Sequence, residues 1–513
     1  ANTFSGGLRL DGTHSGWLAS NVDQIQVDRG IVGGFDGGTK LDQAFVIAPS
    51  LGGPIAEDRL WFFGTYSFRR GSLYPASYYA NTDTSALSYV PDLASPMFSR
   101  KDISEGSMRL TWQASAKDKV GAYMILPGNR RQILPALSGA DLDPLYIAPE
   151  AGSENEAWVN TYQLTWVRPH TNRLLFEAGV GMQPVSNRFP DLSAENAGLR
   201  GTGRANINAR PDLLSVYEAT TQTMSRNMGF IFQGTDFHIS TTNNNARGSV
   251  SYVTGSHNLK VGVQFNQKWE SFAYTSKNNW TNMITVRGNP IQARFHARPP
   301  REANLTSIGI YAQEQWTLDR LTVNAGVRFD YFEGSYPDQV APATVWAPTL
   351  RPFTGDTVTS WKDLHPRLGV AYDLRGDGRT ALKATISRYG EHSDLQFVNA
   401  LNPLGQNTTM ARSWFDGGNP FGIPGLPSCI GSVACVAGDG IPQGDPLNPY
   451  PNGEIISPNI TPAFGTPTRT VFYDPDWAFG WGKKSGNWEY SASIQHELAD
   501  GYSIDIGYFR RHY

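Results

Sequence analysis

Residues 308–330 read Ile-Gly-Ile-Tyr-Ala-Gln-Glu-Gln-Trp-Thr-Leu-Asp-Arg-Leu-Thr-Val-Asn-Ala-Gly-Val-Arg-Phe-Asp. Ile308, Ile310 and Ala312 alternate with polar or small neighbours. After the turn Thr317 to Arg320, Leu321, Val323, Ala325, Val327 and Phe329 resume the alternation. Side chains on an extended backbone point to opposite faces in turn, so this is a hairpin with one apolar face and one polar face. The same unit recurs along the chain without sequence identity. Met108, Leu110, Trp112 and Ala114 lead through a polar turn to Val120, Ala122 and Met124, and Tyr162, Leu164 and Trp166 lead to Leu174, Phe176, Ala178 and Val180. Ala246 to Tyr252 leads to Leu259 to Phe265, Leu368 to Tyr372 to Leu382 to Ile386, and Trp488 to Ile494 to Tyr502 to Tyr508. An earlier copy joins Ala44–Gly53 to Leu60–Arg69. Within a hairpin the turns are short, whereas the links between hairpins run to tens of residues.

Composition narrows what such a chain can be. Only 17% of the 513 residues are charged, 12% are aromatic, and 53 Gly with 33 Pro interrupt any long helix. Disordered chains carry more charge and fewer aromatics, and helical bundles tolerate far less Gly and Pro. A net charge of −3 leaves no basic surface for nucleic acid. No apolar run is long enough for a membrane helix, yet barrel strands alternate and so average to a polar hydropathy. Short turns on one side and long loops on the other are the pattern of an antiparallel transmembrane β-barrel, all-β, in the bacterial outer membrane. The last apolar-face residue before the short turn is aromatic in five hairpins: Trp112, Trp166, Tyr252, Trp316 and Tyr372. Leu60, Leu174, Leu259 and Leu321 follow the turns, so the five rings are expected to form an interfacial girdle in contact with outer-membrane lipid. The reading set against this is a soluble sandwich with an aromatic end. Glu314 falls on the apolar face, which predicts a bulge or register shift there.

Seven hairpins and the alternating stretch Thr3–Thr13 make fifteen strands. Finished barrels of this type usually have even numbers, with both termini on the periplasmic side. The expectation is that residues 1–513 are an incomplete barrel domain, with any signal peptide before Ala1 and an odd number of strands beyond Tyr513. Residues 390–487 form its longest extracellular loop.

Four segments resemble those of TonB-dependent outer-membrane receptors. Residues 1–7 (ANTFSGG) resemble the junction between plug and first strand, and residues 51–64 (LGGPIAEDRLWFFG) the second-strand hairpin. Residues 310–316 (IYAQEQW) with 321–330 (LTVNAGVRFD) are similar to a mid-barrel hairpin, and residues 364–372 (LHPRLGVAY) to a further strand. The subgroup most similar is the Oar-like receptors, whose precursors carry a carboxypeptidase-regulatory-like domain. The resemblance implies a barrel of about 22 strands closed by a plug and driven by TonB with ExbB and ExbD. It also implies energised uptake of a large scarce nutrient such as a siderophore, glycan or peptide. The alternatives are a passive porin, a surface adhesin, or an outer-membrane or secreted β-rich hydrolase.

Charged residues on the polar face are candidates to line the lumen: Arg9, Arg69, Arg109, Lys260, Lys268, Arg328, Asp330, Arg367 and Lys383. The long loop supplies candidates for ligand capture in Trp414, Phe415, Phe421, Trp477, Phe479 and Trp481, while Cys429 and Cys435 are spaced for a small disulfide loop. The aromatic residues could equally pack the loop against itself. No HExxH, GxSxG, phosphate-binding or dinucleotide signature occurs, so neither catalytic residues nor a cofactor nor a metal is expected. Asp439–Asp445 is too short for an EF-hand calcium loop, and Arg375-Gly-Asp377 reads as a hairpin turn.

Overall fold

A computed structural model describes residues 2–18, 23–29, 39–75, 78–97, 99–133, 146–151, 153–189, 213–226, 235–276, 281–391, 394–417 and 429–513. The alternating segments form one antiparallel wall of fifteen strands, each paired with its neighbour in sequence. In chain order they are β1 (Ser5–His14), β2 (Lys40–Ala56), β3 (Leu60–Tyr74), β4 (Ser99–Gln113), β5 (Lys119–Ile133) and β6. β6 runs as Ser153–Val159 and continues past Asn160 as Thr161–Pro169. β7 (Leu174–Phe189), β8 (Thr235–Thr254), β9 (His257–Ser276), β10 (Arg301–Leu318) and β11 (Leu321–Tyr336) follow. The wall ends with β12 (Asp356–Asp373), β13 (Thr380–Gly390), β14 (Gly486–Ala499) and β15 (Tyr502–His512). Among the described residues β1 pairs with β2 alone and β15 with β14 alone.

Register keeps each apolar set on one face across the wall. Leu10 faces Ile47 and Ile47 faces Phe68; Leu110 faces Ala122, Ala122 faces Leu164, and Leu164 faces Val180. A slip by one residue would turn every such set to the other side, so the pattern fixes the pairing. The outward side chains remain exposed, Leu8, Leu10 and Ile506 by more than half. An exposed apolar band this extensive is what a lipid-facing surface looks like.

The short turns use left-handed residues where two-residue hairpins demand them. Asp319 (φ 41°) begins the turn between β10 and β11, and Gly255 (φ 55°) the one between β8 and β9. In the longer turn after β12, Gly376 and Gly378 take positive φ while the Asp373 carboxylate accepts their amide protons at 2.9 and 2.8 Å. The Arg375-Gly-Asp377 tripeptide is thereby spent on turn geometry.

Trp112, Trp166, Tyr252, Trp316 and Tyr372 all stand on the outward face just before these turns. Trp112 is flanked by Leu60 and Val120, Tyr252 by Leu174 and Leu259, and Tyr372 by Leu321 and Leu382. At Glu314 the sequence expectation of a register shift is wrong: β9–β10 and β10–β11 run through it in uninterrupted register. The carboxylate instead pairs with His257 Nδ1 at 2.9 Å, and the His257 ring stacks on Trp316. A partner close to the turn makes the charge tolerable without distorting the ladder. Register shifts occur elsewhere, at Leu41/Gln43, Pro54/Ala56, Gly334/Ser335 and Glu497/Ala499.

At the long-loop end, four loops build a second sheet. Its strands run in the order Thr409–Ser413, Asn289–His296, Thr281–Val286, Ser215–Glu218, Thr223–Ser225 and Tyr146–Ile147. Two of its pairings between different loops are parallel, Ser215–Glu218 with the Thr281 strand and Thr223–Ser225 with the Tyr146 strand. Val216, Met283, Ala293, Phe295, Met410, Trp414 and Ile455 form its core. This cap has no counterpart in the sequence reading.

Candidate functional site

The inward face of the wall carries the polar half of each alternation, and several of its charges are paired within or across strands. Lys260 Nζ donates to Glu177 at 2.6 Å. Arg328 grips both oxygens of Asp330 through Nε, at 2.8 and 2.9 Å, and reaches Gln264 through Nη1 at 2.7 Å. His365 Nε2 lies 3.3 Å from the second Asp330 oxygen, while Arg388 donates to Asp363 at 2.9 Å. Lys383 donates to Gln495, the Arg367 guanidinium lies 4.8 Å from the centre of the Tyr389 ring, and Arg69 stands 3.8 Å from Glu105. Arg9 is bonded to Asp11 of its own strand. Arg109 faces Phe63 and Tyr123 across the wall and is exposed. A polar cavity of about 1170 Å³ lies against Lys260, Gln264, Arg328, His365 and Arg367. A barrel with this many strands has an interior wider than its side chains fill, so the inner face of this wall borders a wide polar space.

The long loop enters this lumen. After β13, Asp394 accepts from Gln396 N and caps a short helix, Leu395–Leu401. Leu395, Val398 and Leu401 are buried against the inner face of β10–β12, on Ala303, Leu305, Phe332, Val358 and Trp361. The loop helix covers this apolar patch at the long-loop end of the inner face. Asn399 Nδ2 donates to Glu270 at 2.6 Å and Asn402 Nδ2 to the Glu302 carbonyl at 3.0 Å, tying the loop to β9 and β10. Beside it Lys484 lies 4.6 Å from the Phe332 ring centre. Burial draws the Lys484 pKa below its usual value, with Asp330 and Asp363 opposing the shift.

The loop aromatics do not form one capture surface. Trp414 is fully buried, its Nε1 donating to Glu454 at 3.0 Å, because the loop sheet needs a large apolar centre. Phe415 follows it half-buried, and Phe421 lies outside the described residues. Phe479 and Trp481 belong to a three-residue strand added parallel to β12 above the end of β13, in register with Ser360 and Lys362. That register puts both rings on the outward face, with Trp481 against Phe329 at 5.6 Å, where they extend the wall's outer aromatic surface. Only Trp477 faces the lumen side, packed edge-on to Trp361 at 5.2 Å and against Tyr473 at 5.0 Å. Cys429 and Cys435 are joined in a disulfide. Asp439 accepts from Ile441 N and Gln443 Nε2, so its carboxylate shapes the loop. Among the described residues no three His, Cys, Asp or Glu side chains are placed to hold a metal ion.

Two buried ionisable groups hold the cap together. Burial works to raise the Glu218 pKa, but bonds from Gly288 N, Thr285 Oγ1 and Thr220 N outweigh it and bring it down to about 2. His296 sits between Asn282 (2.6 Å) and Thr409 (3.2 Å), and burial holds its pKa well below the usual value.

A family model described as outer membrane beta barrel domain matches residues 72–512. The chain belongs to the outer-membrane β-barrel family. Its place is therefore the bacterial outer membrane, with the apolar band and the row of aromatics against lipid. No curated protein matches the sequence. Among solved structures, the outer membrane transporter YddB from Escherichia coli is similar over 99% of this chain and 52% of its own, at 12% identity and a TM-score of 0.56. The siderophore receptor PirA from Acinetobacter baumannii aligns over 100% of this chain and 53% of its own, at 10% identity and a TM-score of 0.47. The barrel thus spans about half the length of these structures.

Proposed function

We propose that this barrel is the wall of a TonB-dependent transporter that takes up a large scarce nutrient. The observation that carries the reading is a wide polar lumen lined by paired charges, roofed by a loop sheet and by a loop helix docked inside it. The transporter named among the similar structures supports it, as do the four receptor-like segments, whose pattern resembles that of the Oar-like subgroup. On this reading residues 1–513 form the barrel domain, and residues 390–487 its principal extracellular loop. A plug supplied by the rest of the protein engages TonB, ExbB and ExbD. The lumen charges Arg69, Arg109, Lys260, Arg328, Asp330, Arg367 and Lys383 then anchor that plug or line the path, and transport proceeds by binding and gating without covalent chemistry.

The test is growth and tracer accumulation on a panel of scarce nutrients in cells carrying the full-length gene, with and without TonB. Accumulation that requires both the gene and TonB supports the proposal. Accumulation that needs the gene and is indifferent to TonB makes the barrel a passive channel and overturns it.

A further inference from the structure

On the outward face of β3 and β4, arginines stand at the far edge of the apolar band. Phe45 faces Arg70 and Arg70 faces Asp102, in the register that sets Ile47 against Phe68. Arg70 lies ten residues along β3 from Leu60, and Asp102 ten along β4 from Trp112. At about 3.3 Å per residue and a strand tilt near 40°, that is roughly 25 Å above the aromatics beside the short turns, the height of a lipid-facing band. The two residues therefore stand where the headgroups of the outer leaflet begin. At the same level β7 to β11 present Pro184, Thr242, Trp269, Thr306 and Tyr331, and β12 the single charge of Lys362.

Arg70 donates to both Asp102 oxygens, through Nε at 2.8 Å and Nη2 at 3.1 Å, and Arg100 donates to Oδ2 through Nε at 2.9 Å. One carboxylate thus orients two guanidiniums and leaves one positive charge over. The Nη1 of each arginine has no partner among the described residues, and the two side chains remain 26% and 18% exposed. The Arg70 guanidinium lies 5.4 Å from the centre of the Phe68 ring and 5.7 Å from that of Phe45, which fixes it further. β5 and β6 continue the row with Arg130 and Glu156, in register with Asp102 and with each other, adding one charge of each sign. Paired, oriented guanidiniums with free N–H groups match a phosphate. Toward the band, β4 turns small. Ser104 and Gly106 follow Asp102 on the outward face, and a Cβ at Gly106 would meet nothing within 4 Å. Phe68 and Tyr66 flank them on β3, Gly128 and Leu126 on β5, with Tyr66 and Leu126 exposed. A groove one strand wide, with apolar walls, therefore runs from the arginines down into the band. A cationic head site above an apolar channel fits an anionic lipid.

We propose that this face binds a phosphorylated glycolipid of the outer leaflet, with a headgroup phosphate on Arg70 and Arg100 and an acyl chain in the groove over Ser104 and Gly106. The proposal needs the outer-membrane location and is independent of the transporter reading. The test is titration of the purified full-length protein in detergent with bisphosphorylated lipid A, read by native mass spectrometry. Lipid A stripped of both phosphates, phosphatidylglycerol and inorganic phosphate are the comparison probes. Bisphosphorylated lipid A should bind best, and the double variant R70Q/R100Q should weaken it roughly ten- to hundredfold, the worth of a hydrogen bond to a charged group. G106L, which fills the groove and leaves both arginines in place, should weaken it several-fold. It stays informative if the double variant fails to assemble. K117A, at a short turn on the opposite side, should leave binding unchanged. Equal binding of the dephosphorylated lipid, preference for phosphatidylglycerol, or displacement of lipid A by millimolar inorganic phosphate would each overturn the proposal. So would full affinity in R70Q/R100Q or in G106L, or an equal loss in K117A.

Discussion

Replacing Leu401 with alanine removes a fully buried side chain from an apolar patch on the inner wall, where it packs with Leu395 and Val398 on Leu305, Phe332 and Trp361. Truncating a leucine at such a site costs about 2–5 kcal/mol, depending on how far the neighbours collapse. Most of that cost falls on docking of the loop helix, because strands β10 to β12 retain their ladders with one another. The undocked population should therefore rise by roughly thirtyfold to several-thousandfold. Amide hydrogen exchange on the full-length receptor reads this directly. Protection across residues 395–401 should fall by that factor while β10 and β11 keep theirs. Unchanged protection, or a loss spread evenly over the barrel strands, would refute the idea that the helix is a separately docked element.

Acid should loosen the cap before it touches the barrel. The folded-state pKa values of both His296 and Glu218 are depressed, so each contributes stability that is present above its unfolded value and lost as pH falls. His296 acts first, below its usual pKa of 6.5. Glu218 follows between 4.5 and about 2, where its full contribution is on the order of 3 kcal/mol. E218Q should abolish the lower step in proteolytic opening of the loop sheet, and an unaltered profile in that variant would discard the assignment. In bilayers, lipids brominated near the carbonyls should quench Trp112, Trp166 and Trp316. The triple Trp→Phe variant should lose much of that quenching, whereas retained quenching would remove these rings from the interface.

The barrel was legible because every wall strand writes its environment into the chain with period two, over ten or more residues at a time. The lumen charges could be placed on the polar face by parity alone, although their partners could not, since Lys260 meets Glu177 across 83 positions. Glu314 shows the limit of the pattern: an acid on an apolar face looks like a broken register, yet a histidine 57 positions away in sequence satisfies it. The cap left no such trace. Its strands are two to eight residues long and pair between loops far apart in sequence, so nothing local marks them. The sequence leaves Trp414 open between capture surface and loop packing for that reason, and the outward turn of Phe479 and Trp481 depends on a parallel pairing with β12 that only the assembled wall reveals.

The loop sheet also bears on how the outer surface of this protein can change. Loops on a barrel are ordinarily independent, so each can be lengthened or replaced without consulting the others. Here the His296 strand takes its partner from Thr409, and Ser215 is in register with Asn282, so neighbouring loops share main-chain bonds and buried clusters. An altered residue in one loop is felt by three more. The surface seen from outside the cell is thereby heritable as a block, with its variation confined to the segments between the shared strands.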